Sequence, residues 1–155
     1  MERDQFHVET ETVKEPATAE PAEHPALQIH FDGSRDRLRQ GLSEQLRDDI
    51  AVEEIDVSFR HLSLGGEPAE GILALSDRVT GRYVLEVKTA VNLVREFVQT
   101  VRESADQMSH DARYRVEIRA EGETVTTFEK DLLLVYDASG TLLRDASLIP
   151  TGIEL

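Results

Sequence analysis

The stretch Ala90-Val91-Asn92-Leu93-Val94-Arg95-Glu96-Phe97-Val98-Gln99-Thr100-Val101-Arg102-Glu103-Ser104-Ala105-Asp106-Gln107-Met108 decides how the rest of this chain must be arranged. Val91, Val94, Phe97, Val98, Val101, Ala105 and Met108 recur at intervals of three and four, the spacing of one helical face. Asn92, Arg95, Glu96, Gln99, Arg102, Glu103 and Asp106 fall on the opposite face. The pattern predicts an amphipathic helix over 90–108, with Thr89 as its N-cap. Four of its residues are valines, whose β-branching lowers helix propensity, so the helix needs tertiary burial of its apolar face. The surfaces available to it are the strands on either side.

Immediately upstream, 71–76 and 82–88 read as the arms of a hairpin around Asp77-Arg78-Val79-Thr80-Gly81. Before the break at Gly65-Gly66-Glu67-Pro68, period-two alternation from Val52 puts Ile55, Val57, Phe59 and His61 on one side of a strand. Ser34 offers an N-cap for a short helix near 34–46, with Leu38, Leu42 and Leu46 four apart. Leu27, Ile29 and Phe31 alternate on a strand that ends at Asp32-Gly33, and Phe6 and Val8 alternate on another. Between these two strands, 14–25 holds Pro16, Pro21 and Pro25 among Ala and Glu and reads as an extended connection. The expected organisation is an N-terminal strand at 1–13, a Pro/Ala/Glu-rich linker at 14–25 and a single α+β domain at 26–155.

Downstream of the helix, Arg113 to Arg119 alternates strictly, with Tyr114, Val116 and Ile118 apolar. Glu121-Gly122-Glu123 reads as a turn into a strand from Thr124 to Lys130. Leu132 to Tyr136 is apolar throughout, which predicts a central strand covered on both faces. Asp137-Ala138-Ser139-Gly140 is a turn signal, and a final strand is expected over 141–147. The fold class that follows is α+β, with a mostly antiparallel sheet of about six to eight strands. One long helix at about 90–108 packs on one face, and the short helix lies near 34–46.

Composition narrows the chemistry. The chain of 155 residues is 39% hydrophobic but only 5% aromatic, with no Trp, so its core must be mostly Leu, Val and Ile. The absence of Cys excludes disulfides, thiolate catalysis and Cys-based zinc sites. No apolar leader segment and no run of membrane-spanning length is evident, and a cytoplasmic location is expected. Asp and Glu number 31 against 17 Lys and Arg, a net charge of −14, and the only lysines are Lys14, Lys88 and Lys130. This balance fits a cytosol held at molar salt, where the Debye length falls to about 3 Å and self-repulsion is screened. The alternative is an ordinary acidic protein encoded by a GC-rich genome. Either way, the charge opposes nucleic-acid binding.

No dinucleotide fingerprint, phosphate loop or nucleophile elbow is present; Gly41-Leu42-Ser43 continues as Glu44-Gln45 and fails the last pattern. His30 and Asp32, two apart at a strand end, could face one side as metal ligands, but the simpler reading is a strand residue and a turn former. No metal site, catalytic residue or cofactor is therefore expected. Arg113, Arg115 and Arg119 form a row that could bind an anion, since guanidinium forks match carboxylate and phosphate. The competing reading pairs them with Glu117 and Glu129 on a solvated face. His61 and Arg115 are candidates for a ligand cleft between the long helix and the sheet. The ending is apolar up to its last residue, which makes Leu148, Ile149, Ile153 and Leu155 candidates for docking, onto their own domain or onto a partner.

Several segments together resemble a family of short acidic haloarchaeal proteins of unknown function. They are Arg3-Asp4-Gln5-Phe6, Phe31-Asp32-Gly33, Val79-Thr80-Gly81, Tyr114-Arg115-Val116-Glu117-Ile118-Arg119 and, near the end, Phe128-Glu129-Lys130, Leu134-Val135-Tyr136-Asp137, Leu142-Leu143-Arg144 and Ser147-Leu148-Ile149-Pro150. The resemblance implies a haloarchaeal cytoplasmic setting and supplies no activity and no functional residue. The expected role is a non-enzymatic protein-interaction or assembly domain, as a homodimer or with another protein, through a sheet edge or the apolar tail. The alternative is a small-ligand binder or enzyme with its site between the long helix and the sheet.

Overall fold

In the computed structural model, which describes residues 5–11, 25–46, 52–62, 69–108 and 112–150, the periodic stretch forms helix α2, Val91–Met108. As far as Ala105 its predicted face is buried, and Val91, Val94, Phe97, Val98 and Val101 belong to one core cluster with side chains from strands on either side of it in the sequence. Thr89 does not cap it. That residue is buried in the preceding strand and pairs with Gly71, and the helix begins where the strand ends, with the Val91 N–H donating to Ala69 O at 3.1 Å.

The other elements, in chain order, are β1 (Phe6–Glu11), β2 (Ala26–Phe31), α1 (Arg35–Gln45), β3 (Ile55–His61), β4 (Glu70–Asp77), β5 (Tyr83–Ala90), β6 (Tyr114–Ala120), β7 (Glu123–Lys130) and β8 (Leu134–Tyr136). Short 3-10 turns lie at Val52–Glu54 and Arg144–Ala146. The eight strands divide into two four-stranded sheets, ordered β1-β2-β6-β7 and β5-β4-β3-β8. Edge strands β1 and β5 approach each other where the sheets meet. Most neighbours are antiparallel, as tight turns require, but β2 pairs parallel with β6 and β3 parallel with β8. Each parallel pair needs a long crossover, and both crossovers run through α2, which thus ties the sheets together.

Alternation sorts each strand into an inner and an outer face. In the first sheet Phe6, Val8, Leu27, Ile29, Phe31, Tyr114, Val116 and Ile118 point into the core. In the second sheet Ile55, Val57, Phe59, Leu73, Leu75, Leu85 and Val87 do the same. Tyr114 is fully buried, packs edge-on against Phe97 of α2 at 5.6 Å and donates its hydroxyl to Leu132 O at 2.7 Å. Burial, together with the charge of Asp131, pushes its pKa well above the ordinary phenol value, so it stays a donor. Helix α1 is capped as expected, with Ser34 Oγ accepting from Arg37 N at 3.2 Å. The Arg35 N–H donates to a Glu121 carboxylate oxygen at 3.1 Å, which clips the start of α1 onto the β6–β7 turn. In that turn Glu121 and Gly122 both have positive φ, 55° and 77°, the geometry of a two-residue hairpin connection.

Two expectations for the C-terminal third are corrected. Leu132–Tyr136 is not a central strand: only Leu134–Tyr136 is strand, and it lies at the end of the second sheet. The strand with both faces buried is β4, where Gly71 through Leu75 are all shielded. Nor does 141–147 form a strand. It makes a bridge at Leu142 and a 3-10 turn, and together with the next residue, Leu148, which forms a second bridge, it covers β8 as an irregular segment. An apolar run looks the same in sequence whether a strand or a coil covers it. The expected linker at 14–25 lies, apart from Pro25, outside the described residues.

Candidate functional site

The alternation of β6 that sends Tyr114, Val116 and Ile118 inward sends Arg115, Glu117 and Arg119 to the outer face of the first sheet. Register then fixes their neighbours: Gln28 lies beside Glu117 from β2, while Thr127 and Glu129 of β7 stand opposite Glu117 and Arg115. Glu117 is the hub. Arg115 Nε donates to one carboxylate oxygen at 2.6 Å, and Arg119 Nη1 and Gln28 Nε2 donate to the other, each at 3.3 Å. Arg119 also donates to Thr124 Oγ1 at 2.7 Å and Gly122 O at 2.6 Å. Burial alone would raise the Glu117 pKa. The hydrogen bond and charge of Arg115, helped by Gln28 and Arg119, outweigh it and hold the carboxyl below its ordinary value.

The three arginines predicted as an anion site are thus brought onto one face, where Glu117 already pairs with Arg115 and Arg119, although Arg119 Nε is buried without a hydrogen-bond partner. Arg113 stands 3.9 Å from Glu129. Beside it, Arg113, Glu129, Lys130, Asp131, Leu132, Glu53 and Arg78 line a cleft of about 270 Å³. Lys130 is buried at its rim. Loss of hydration, reinforced by nearby Arg78, lowers its pKa against the opposing pull of Asp56, Asp131 and Glu53. The cleft is lined by charged residues of both signs with Leu132 as its one apolar residue, unlike the predominantly hydrophobic pockets that hold small molecules.

His61 and Arg115 are not brought together. His61 ends β3 in the second sheet, edge-on to Phe59 at 5.8 Å, and faces a cavity of about 70 Å³ lined also by Val91, Val94, Arg95 and Val135. Arg115 lies on the outer face of the other sheet. Of the docking candidates, Leu148 is buried in cis, exchanging two backbone hydrogen bonds of 2.9 Å with Leu133. Ile149 is half-buried beside a cleft of about 350 Å³ into which Arg102 and Arg144 reach. Ile153 and Leu155 lie outside the described residues.

Strand β7 ends the first sheet, away from the joint where β1 and β5 approach each other. Among the described residues it forms a ladder with β6 and with no second strand, which leaves eight residues with one open edge. Among those residues, too, the group of His, Asp or Glu side chains with three ligand atoms within 4.8 Å of one another is His7, Glu9 and His30, at the β1 end of the same face. Sequence reasoning singled out His30 and Asp32 and missed His7 and Glu9. The alternation of β1 puts both on its polar side, but only the register with β2 brings them to His30.

The chain belongs to a family of unknown function, DUF5793, whose model matches residues 1–155. Neither a curated protein nor a solved structure matches it. Among the described residues no helix is long and apolar enough to cross a membrane.

Proposed function

We propose that this protein is a non-enzymatic assembly domain that pairs with a second copy of itself through the open edge of β7. The observation that carries the reading is that edge: eight residues, Glu-Thr-Val-Thr-Thr-Phe-Glu-Lys, laddered on one side only among the described residues. An uncovered strand presents N–H and C=O groups in the spacing another strand needs. The threonines and Val125 suit a pleated surface, and neither Pro nor Gly interrupts the strand. The charge of −14, the scarcity of lysine and the absence of Cys further support a cytoplasmic, halophilic setting, in which molar salt would screen the repulsion between two such acidic copies. The ligand reading is weaker, since a 70 Å³ cavity beside α2 holds a few waters rather than a small molecule.

Light scattering on the full chain in molar KCl tests the proposal, with a mass twice that of one chain expected. Neighbouring residues of an antiparallel strand direct their N–H groups to opposite sides. Of Thr126→Pro and Thr127→Pro, one therefore removes an N–H pointing away from β6 and leaves the internal ladder intact. That variant should be monomeric with its melting temperature nearly unchanged. A monomeric wild type at high micromolar concentration would overturn the proposal. So would a dimer that survives both proline variants and dissociates only when 151–155 is deleted, because assembly would then lie in the tail.

A further inference from the structure

The outer face of the first sheet ends at β1 in a cluster that Glu117 does not reach. His7 and His30 are directly opposite each other in the β1–β2 ladder, and their rings stack with centroids 4.7 Å apart and planes within 5°. Directly opposed residues of an antiparallel pair have their Cβ atoms only about 5 Å apart, so two histidines there present their nitrogens side by side. Glu9, two residues along β1, emerges on the same face and turns its carboxylate toward both rings. Its Oε2 lies 3.3 Å from His30 Nε2 and its Oε1 3.9 Å from His7 Nε2. The other nitrogen of His7, Nδ1, lies 3.3 Å from the Asp32 carboxylate.

From this arrangement we infer a binding site for a zinc-class divalent transition metal, with His7 Nε2, His30 Nε2 and the Glu9 carboxylate as protein ligands and Asp32 as the residue that orients His7. Two imidazoles and one carboxylate form a borderline-soft donor set suited to Zn²⁺ and Co²⁺ rather than to Mg²⁺ or Ca²⁺, which prefer oxygen throughout. Two of the three donor separations bear on that choice, and the third, between the two histidine nitrogens, is within 4.8 Å. Donors about 2.0–2.1 Å from a tetrahedral ion stand roughly 3.4 Å from one another. The Glu9–His30 separation of 3.3 Å already meets that value, and the 3.9 Å to His7 needs a shift of about half an ångström in two exposed side chains.

A second observation points to the same ligand. His30 Nε2 is shut off from solvent yet makes no well-aligned hydrogen bond, although the Glu9 carboxylate lies 3.3 Å away. Asp32 supplies what ligating histidines commonly have, a carboxylate on the second ring nitrogen that fixes the tautomer. The exposure of His7 and Glu9, 53% and 60%, leaves a fourth position facing water. Three protein ligands with one open position is the composition of an accessible rather than a closed zinc site.

The test uses the full, untagged chain at pH 7.5 in KCl, with Zn²⁺ followed by calorimetry and Co²⁺ by its visible absorption. One metal ion per chain and ligand-field bands of a low-coordinate Co²⁺ site are the expected results. His30→Gln and Glu9→Gln should each lower affinity at least tenfold, and Glu9, being exposed, gives a variant whose folding is not at stake. Asp32→Asn should lower affinity by about 10–100-fold while the stoichiometry stays at one. His61→Gln, far from the cluster, should change nothing. Absence of binding at micromolar metal would overturn the inference. So would binding that persists unchanged in His30→Gln and Glu9→Gln, which would be adventitious capture by the acidic surface.

Discussion

Away from the joint where β1 and β5 meet, the two sheets end in edges that are treated in opposite ways. Strand β8, three residues long, is overlaid by the chain that follows it: Leu143 N donates to Val135 O at 2.8 Å, Val135 N donates to Ser147 Oγ at 2.9 Å, and Leu148 bridges Leu133. Ser147 also donates its hydroxyl to Leu143 O at 2.8 Å, closing the covering segment on itself. Strand β7 is eight residues long and has no such cover among the described residues. Edges left open invite pairing with another chain, and proteins ordinarily shorten, charge or cover them. Here the short edge is covered and the long one is not, and the difference motivates the assembly proposed for β7.

Removing the cover of β8 is the harshest way to break this asymmetry. Leu148 is 3% exposed and joins the core cluster. Leu148→Ala should destabilise the fold by about 2–5 kcal/mol, through lost burial and the cavity left behind. Urea unfolding would read it as a lower midpoint. The contrast with β7 is the informative part, since an outward-facing proline there should disturb assembly with little loss of stability. If Leu148→Ala cost less than about 1 kcal/mol, the segment would be an ornament on β8 rather than its cover.

A smaller effect is expected at the joint between the two edges. Leu132 sits on the short connection from β7 to β8, and its carbonyl accepts from the Tyr114 hydroxyl deep in the core. Tyr114→Phe keeps the ring against Phe97 but leaves that carbonyl without its donor. The expected loss is about 1–3 kcal/mol, the cost of an unmet buried acceptor. Amide hydrogen exchange should localise the loosening to 131–136. A uniform change across both sheets would show instead that the two edges are not separable units.

How much of this could be read beforehand follows from how local each signal is. The α2 face, the Ser34 cap and the turns at Gly81, Gly122 and Gly140 are each specified within a few residues, and the structure contains all of them. The parallel pairs β2–β6 and β3–β8 join residues some 80 positions apart, and alternation in one strand says nothing about its neighbour's identity. Gly71 illustrates the same limit. It reads as an ordinary strand start, yet a Cβ there would come within 2.5 Å of Arg60 O and of the Phe59 ring. In the polar face, the arginine row and its pairing with Glu117 were both visible, since Arg115 and Arg119 lie two residues from Glu117 on one strand, whereas Gln28 arrives only through the register with β2. His30 was visible singly; its partners His7 and Glu9 belong to a strand across 14–25, the segment from which no register could be inferred.

The mildest prediction probes what ties β7 to its own sheet when no cover does. Glu117 stands opposite Thr127 and gathers Arg115, Arg119 and Gln28 on the face that β7 shares. Glu117→Gln keeps the shape and removes the charge, and at neutral pH should cost roughly 1 kcal/mol. The sign of the pH dependence follows from the pKa. The folded-state value lies below the ordinary 4.5, so the carboxylate's contribution is fully present above 4.5 and is lost as pH falls through the lower, folded value. The wild type should therefore lose stability faster than Glu117→Gln on acidification below 4.5, and the two melting temperatures should converge. A constant gap down to the acid limit would mean that packing of the side chain, not its charge, holds this face together, and the open edge of β7 would then rest on the same kind of contact as the covered edge of β8.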